Sequence, residues 1–477
     1  MLEQPPRRLS YPRAQVEVDG QKLQEVELGG WAYGPELGTA PVVMVVGGIT
    51  ATPFPFGCGE DKPAWWPALL ADDLIDPKEV TILCPEWPGN GSNFRGIDDV
   101  EQPTHLSVQG LADLLALWLE GIGCQSPVTY VGASLGALVG FALAQRYPDR
   151  VQRLISISAG LRPDGWGTAT RHLQRELVRD GLRNGDVKTG MARARQLGML
   201  TYRGRHEIDT RFAHLSAGLL HPPVAEYLDH HGRQFAERFP VATFLLLSEA
   251  IDRCSFGTSP AEIRAAVEKV SAEVTVIGVP GDQLFPWHLQ EELHREIQAA
   301  GGSSALWKLE SEYGHDAFLA DQERLAEILR DANCLGRNAA APERTRYKGV
   351  GVEPKELIRI GLIGCGTVGT GLLDMIAGQA DAIAERYAVR FEVTRIAVRD
   401  LEKDRGPLAA GIPKTADVLK LVADPEVDVV VEVAGGLSLE QAVRAALAAG
   451  KPVVSANKVL LAEKLAELGV LAQRTAT

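Results

Sequence analysis

Short apolar runs alternate with helical periodicity along most of the chain. Val42–Val46, Val80–Cys84, Val128–Val131, Leu154–Ser158, Val274–Val279 and Ala305–Leu309 are largely apolar throughout, the pattern of strands buried on both faces. From Val42 to Ala332 they alternate with helix-like segments, which predicts a mostly parallel sheet flanked by helices. Between about residues 162 and 265 the rhythm changes to helical, charged sequence without strand signals, as expected of a helical cap inserted over a site on the sheet. Leu335 to Gly351 breaks the pattern with proline, glycine and charge, and residues 335–356 read as a linker. A second α/β rhythm follows: a buried-strand pattern at Leu357–Ile363, an amphipathic helix to about Tyr387, and a strand at Phe391–Val398. The expected organisation is therefore one domain over 1–334 and a second over 357–477, with no internal repeat.

The first chemistry-bearing motif lies between the strand-like run ending at Val131 and the helix-like run Ala137–Tyr147. Gly132-Ala133-Ser134-Leu135-Gly136 reads Gly-x-Ser-x-Gly at a strand-to-helix turn, a nucleophile elbow. The turn is too tight for β-carbons two residues either side of the serine, and it pushes the serine oxygen out above the sheet. In such a sheet the acid and then the base follow on loops after later strands. Glu273–Val279 runs into Pro280-Gly281-Asp282, which makes Asp282 the candidate acid. Ala305–Leu309 leads to Gly314-His315-Asp316, which makes His315 the candidate base. Only His315, of ten histidines, has this order and loop setting. The expected oxyanion donors are the backbone N–H of Leu135 and that of Ile49, in the Gly47-Gly48-Ile49-Thr50 loop after the first apolar run.

The second motif is Gly364-Cys365-Gly366-Thr367-Val368-Gly369, a Gly-x-Gly-x-x-Gly with a strand before it and a helix after it. That context predicts a Rossmann-type dinucleotide-binding turn, its glycines, Thr367 and Val368 facing a diphosphate at the helix N-terminus. Arg399 stands at the end of the next strand, where an arginine suits a 2′-phosphate and an acid would suit the ribose hydroxyls. NADP is thereby favoured over NAD.

Composition narrows the class further. A length of 477 residues exceeds one ordinary core, and the 45% hydrophobic content is that of a globular protein. No apolar run approaches the roughly 20 residues of a membrane span, and the first residues lack the apolar stretch of a secretory signal, so a cytoplasmic protein with no membrane partner is expected. The net charge of −13 argues against non-specific nucleic-acid binding. The six cysteines show no metal-ligand spacing, so reduced thiols and no metal site are expected.

Residues 30–332 resemble the homoserine O-acyltransferases of the α/β-hydrolase superfamily. The resemblance is carried by Gly132–Gly136 with Tyr147-Pro-Asp-Arg-Val151, by Ala194-Arg195-Gln-Leu-Gly198 through Arg203, by Asp282–Pro286 and by Gly314–Leu319. It implies an α/β-hydrolase fold with a helical cap, and acyl transfer from acyl-CoA to the hydroxyl of L-homoserine through an acyl-enzyme, a step of methionine biosynthesis. It also implies that Arg195, Tyr202 and Asp321 contact homoserine, with Arg195 suited to a carboxylate and Asp321 to an ammonium, and that the protein is a homodimer. The chain departs from the family at Ala137, where a second glycine is usual, in its Gly-Gly-Ile-Thr oxyanion segment, and in a short cap. Acetyl and succinyl donors remain open, with acetyl favoured, and an esterase with the same triad and a non-catalytic NAD(P)-binding appendage is the alternative.

The second domain resembles the nucleotide-binding part of homoserine dehydrogenase. Ile360–Gly369, Val427–Gly436 with Glu432, and Gly450–Lys458 carry that likeness. It implies that Lys458 is catalytic or close to the substrate, beside the bound cofactor. The family's substrate and dimer domain would follow Thr477, so the dehydrogenase half is expected not to turn over alone.

Overall fold

The structure is a computed structural model and describes residues 5–59, 62–213, 220–335, 356–387, 389–401 and 403–475. The chain forms two compact units, Met1–Pro342 and Glu343–Thr477. Most of the expected linker, residues 336–355, lies outside the described residues.

The first unit is built on an eight-stranded sheet in the order β1-β2-β4-β3-β7-β8-β9-β10. Its strands are β1 (Arg7–Val18), β2 (Gln21–Tyr33), β3 (Val42–Val46), β4 (Thr81–Pro85), β7 (Val128–Ala133), β8 (Val151–Ile157), β9 (Glu273–Gly278) and β10 (Ser304–Lys308). A separate two-stranded ribbon joins β5 (Trp87–Pro88) to β6 (Gly91–Ser92). The run from β4 through β3 to β10 is parallel. β1 and β2 differ from the sequence expectation, which held no strand there. They form an antiparallel hairpin closed by Asp19-Gly20, both at positive φ, and β2 continues antiparallel onto β4.

Helices α1 (Val108–Gly121), α2 (Leu135–Arg146), α9 (Trp287–Ala299), α10 (Ala317–Ala320) and α11 (Gln322–Asp331) follow the sheet strands. Between β8 and β9 the chain inserts α3 (Gly165–Arg183), α4 (Val187–Tyr202), α5 (Arg205–Phe212), α6 (Pro223–Arg238), α7 (Val241–Asp252) and α8 (Pro260–Val267). The apolar start of α7 anchors this insertion: Phe244 and Leu245 pack with Met191 and Ala194 of α4, and Leu246 and Leu247 join the main core. α3 and α7 are clamped by a buried ion network in which Asp252 meets Arg171 and Arg175, each at 2.7 Å.

The second unit has a parallel five-stranded sheet in the order β13-β12-β11-β14-β15. These are β11 (Glu356–Ile363), β12 (Val389–Ala397), β13 (Lys414–Thr415), β14 (Val429–Glu432) and β15 (Val453–Ser455). Helices α12 (Thr367–Tyr387), α13 (Pro407–Ala410), α14 (Val418–Val422), α15 (Glu440–Ala448) and α16 (Lys458–Thr475) connect and flank them. The order reverses direction between β11 and β14, the switch point at which open α/β sheets bind ligands. The fold expected from the sequence, a capped α/β-hydrolase unit followed by a Rossmann-type unit, is the fold observed. Among the described residues, no helix is long and apolar enough to cross a membrane, and no cluster of three His, Cys, Asp or Glu could hold a metal ion.

Candidate active site

Ser134 sits between β7 and α2 with φ 54° and ψ −120°, a strained conformation for a residue with a side chain. The glycines around it are sterically required. A β-carbon at Gly136 would lie 2.2 Å from the Val46 carbonyl oxygen, and one at Gly132 would lie 2.7 Å from the Gly136 backbone. The chain therefore crosses itself closely enough to turn the serine outward.

Ser134 Oγ is 2.9 Å from His315 Nε2, and His315 Nδ1 is 2.8 Å from Asp282 Oδ2. All three residues are buried. The other oxygen of Asp282 accepts the backbone N–H groups of Leu284 (2.8 Å) and Phe285 (2.9 Å), so the turn after β9 fixes the carboxylate's orientation. Burial opposes charge on His315, but the neighbouring Asp282 and then Asp316 outweigh it and hold its pKa above the ordinary 6.5. The rings of Phe318, Phe285 and Tyr202 surround the imidazole, with centroids 5.8, 5.9 and 6.0 Å away.

Leu135 is the first residue of α2, a position whose N–H has no intrahelical acceptor. On the facing loop, a β-carbon at Gly48 would stand 3.5 Å from Ser134 Cβ, so the segment carrying Ile49 passes directly over the serine. Trp87 holds that segment by donating its indole N–H to the Gly48 carbonyl at 3.1 Å.

Of the three residues expected to meet homoserine, the fold brings two together. The Arg195 guanidinium lies 5.0 Å over the Tyr202 ring and 5.5 Å over the Phe235 ring, and it makes no ion pair among the described residues. Asp321 lies at the junction of α10 and α11, as the N-cap of α11, and its side chain makes no capping bond there. The carboxylate found here is Asp316, which sequence reasoning passed over. It pairs with Arg203 at 3.3 Å, and burial raises its pKa above 3.8 against the pull of Arg203, Arg195 and His315. Its signal in the sequence was adjacency to His315 alone.

In the second unit, the turn after β11 has Gly364 at φ 95°. A β-carbon at Gly369 would lie 2.4 Å from the Gly364 carbonyl, so this glycine packs the helix onto the turn, whereas one at Gly366 would meet nothing within 4 Å. Open space at the middle glycine is what close approach of a diphosphate requires. Val368, Arg399 and Lys458 are exposed, and Thr367 opens α12. Glu432 and Asn457 lie within the two dehydrogenase-like segments Val427–Gly436 and Gly450–Lys458, where sequence alone assigns them no role. The Glu432 carboxylate, fully buried, accepts the N–H groups of Ala434 (2.9 Å) and Gly435 (2.8 Å) and the Ser455 hydroxyl (2.7 Å). Asn457 exchanges hydrogen bonds with the Gly436 backbone at 3.2 and 2.9 Å. Together they shape the loop after β14, whose Ala434 packs against Gly364.

Residues 41–322 match the family model of the alpha/beta hydrolase fold, and residues 364–477 match that of the homoserine dehydrogenase NAD binding domain. The chain is 33% identical over 305 residues to a homoserine O-succinyltransferase of Xanthomonas campestris pv. campestris, covering 61% of this chain and 75% of that protein. It is 28% identical over 298 residues to a homoserine O-acetyltransferase of Symbiobacterium thermophilum, covering 57% and 78%. The crystal structure of homoserine O-acetyltransferase from Bacillus anthracis superposes with a TM-score of 0.62 at 16% identity, over 70% of this chain and 99% of that one. The chain belongs to the homoserine O-acyltransferases of the α/β-hydrolase fold, and it carries a homoserine dehydrogenase NAD-binding domain behind that enzyme region.

Proposed function

We propose that Ser134, His315 and Asp282 carry out acyl transfer in two steps through an acyl-enzyme. His315 takes the Ser134 proton as the serine oxygen attacks the thioester carbonyl of an acyl-CoA, then passes it to the departing thiolate. Homoserine enters, His315 takes the proton of its hydroxyl, and that oxygen attacks the acyl-serine, returning the proton to Ser134 as the ester leaves. Asp282 holds the imidazole in the tautomer with its free nitrogen toward Ser134 and stabilises the imidazolium. The backbone N–H groups of Leu135 and Ile49 receive the oxyanion in both steps.

The observation that carries this reading is the Ser134–His315 contact at 2.9 Å beside two side chains of opposite charge, Arg195 and Asp316. That pair suits a zwitterion: Arg195, with Tyr202, takes the carboxylate of homoserine, and Asp316 takes the ammonium in place of Asp321. The three rings around His315 keep water from the acyl-enzyme and favour an amino-acid acceptor over hydrolysis. The donor is acetyl-CoA or succinyl-CoA, the acyl groups in the relatives' names.

The second unit is proposed to bind NADP, with Gly364, Gly366, Thr367, Val368 and Gly369 at the diphosphate, Arg399 at the 2′-phosphate and Lys458 toward the reacting end. A bound nicotinamide supplies hydride chemistry; the residues of this unit supply its seat. The whole chain is proposed to be a cytoplasmic homodimer, which light scattering of the purified protein checks for assembly.

The deciding experiment is thiol release from acetyl-CoA and from succinyl-CoA, each with and without L-homoserine, using the intact chain beside Ser134→Ala. Release that needs homoserine and is lost in the variant names the donor and supports transfer. Release that ignores homoserine shows a hydrolase.

A further inference from the structure

An open cavity of about 390 Å³ lies between the glycine-rich segment that follows β5 and the start of α7. Gly89, Gly91, Asn93, Arg95 and Gly96 line one side, and Pro240, Ala242 and Thr243 line the other. Nothing in the acyl-transfer steps uses these residues.

Three features give the cavity an anion-seeking floor. First, α7 has Pro240 at its N-cap and no side-chain capping bond, so the N–H groups of Val241, Ala242 and Thr243 at its first turn have no intrahelical acceptor. Second, the Thr243 side chain is fully buried and its hydroxyl has no hydrogen-bond partner. The hydroxyl faces Gly89, where a β-carbon would stand 2.2 Å from it, so the wall is cut back to backbone at that point. A buried hydroxyl left unpaired carries a desolvation penalty that a ligand oxygen removes. Third, Arg95 brings a guanidinium to the same rim, shared with Glu25. Asp98, also on the rim, is exposed and disfavours an anion on its own side, which leaves the α7 end as the seat.

The cavity adjoins the reaction centre. Trp87, in β5, donates to the Gly48 carbonyl over Ser134, and Ile49 packs against the Phe244 and Leu245 cluster in the first turns of α7. A ligand seated at the start of α7 therefore lies on the flank of the oxyanion segment. The volume falls within the 300–1,000 Å³ range of sites for nucleotide-sized groups.

We propose that this cavity seats a phosphate of the nucleotide end of the acyl-CoA donor, held by the first turn of α7, the Thr243 hydroxyl and Arg95. The assignment rests on the acyl-CoA reading above. Two variants test it. Ala242→Asp puts a negative charge in the first turn, which favours the helix while repelling a phosphate. Thr243→Val removes the unpaired hydroxyl, which is expected to raise the melting temperature while weakening binding, a combination that a merely structural role does not produce.

Thiol release would be measured with acyl-CoA and with the same acyl group on pantetheine, which lacks the nucleotide. Binding of adenosine 3′,5′-bisphosphate and of inorganic phosphate would be measured by calorimetry. In Ala242→Asp, kcat/KM for acyl-CoA should fall about tenfold further than for acyl-pantetheine, and the bisphosphate Kd should rise by a similar factor. Equal losses with both donors, or no loss with either, overturn the proposal. Inorganic phosphate binding as tightly as the bisphosphate also overturns it, because the site would then serve free phosphate. Absence of homoserine-dependent release in the parent chain refutes the transfer chemistry alone, while bisphosphate binding that Ala242→Asp weakens still upholds the cavity.

Discussion

Replacing Asp282 with Asn tests the proposed relay through the tautomer of its base. Asp282 Oδ1 is held by two backbone N–H groups, at 2.8 and 2.9 Å, and only an oxygen satisfies them. The asparagine must therefore keep its oxygen on the turn and direct its NH2 at His315 Nδ1, where the carboxylate oxygen now stands at 2.8 Å. An NH2 group donates, so Nδ1 must accept and the imidazole proton moves to Nε2. That nitrogen faces Ser134 Oγ at 2.9 Å, and once protonated it cannot take the serine proton. The expected loss is about 10³ to 10⁴ in kcat, or about 4 to 5.5 kcal/mol of transition-state stabilisation. Because the turn keeps both its hydrogen bonds, the melting temperature should move by only a few degrees. Homoserine-dependent thiol release gives kcat, and thermal unfolding followed by circular dichroism gives stability. A folded Asp282→Asn protein within tenfold of the parent kcat would refute the reasoning.

Other expectations follow from the same geometry. The neutral imidazole is the base, so the acid limb of kcat/KM should lie above pH 6.5, where Asp282 and Asp316 hold the His315 pKa; activity falls as pH drops through it. Asp316→Asn removes one of those charges, so a pH–rate profile should show the limb moving down, together with a homoserine KM raised about tenfold or more; an unmoved limb counts against the assignment. Gly136→Ala should cost about 3 kcal/mol or more in a denaturant melt, since its β-carbon would meet the Val46 carbonyl at 2.2 Å, whereas Gly165→Ala, with nothing within 4 Å, should be neutral or slightly stabilising. In the second unit, Gly366→Ala should leave the melting curve unchanged and abolish NADP binding in a fluorescence titration, while Gly369→Ala, 2.4 Å from the Gly364 carbonyl, should disturb the turn itself.

The parallel strands and both glycine turns were legible in the sequence because buried strands are continuous apolar runs and because tight turns admit few residues. The β1–β2 hairpin was not found, because one face meets solvent and Pro12 and many charges interrupt its apolar positions. Its turn did carry a signal: Asp19-Gly20 between alternating residues is a two-residue hairpin sequence. The serine, acid and base were readable from chain order, since each follows a strand whose end the apolar pattern marks. The choice between Asp316 and Asp321 was not readable. Both follow His315 within one short stretch, and only the path through α10 decides which carboxylate meets Arg203 and which begins α11. The cap was legible as helical, but not the role of α7, whose Val241-Ala-Thr-Phe-Leu-Leu-Leu run could equally belong to a core strand.

Ser134 and His315 share a hydrogen bond although 181 positions separate them, with the whole cap threaded between. Closing so long a loop is entropically costly and comes late, whereas the cap helices form from contacts near in sequence. In refolding, recovery of the helical signal should therefore precede recovery of activity. Regained turnover would then report that the last distant strand had joined the sheet.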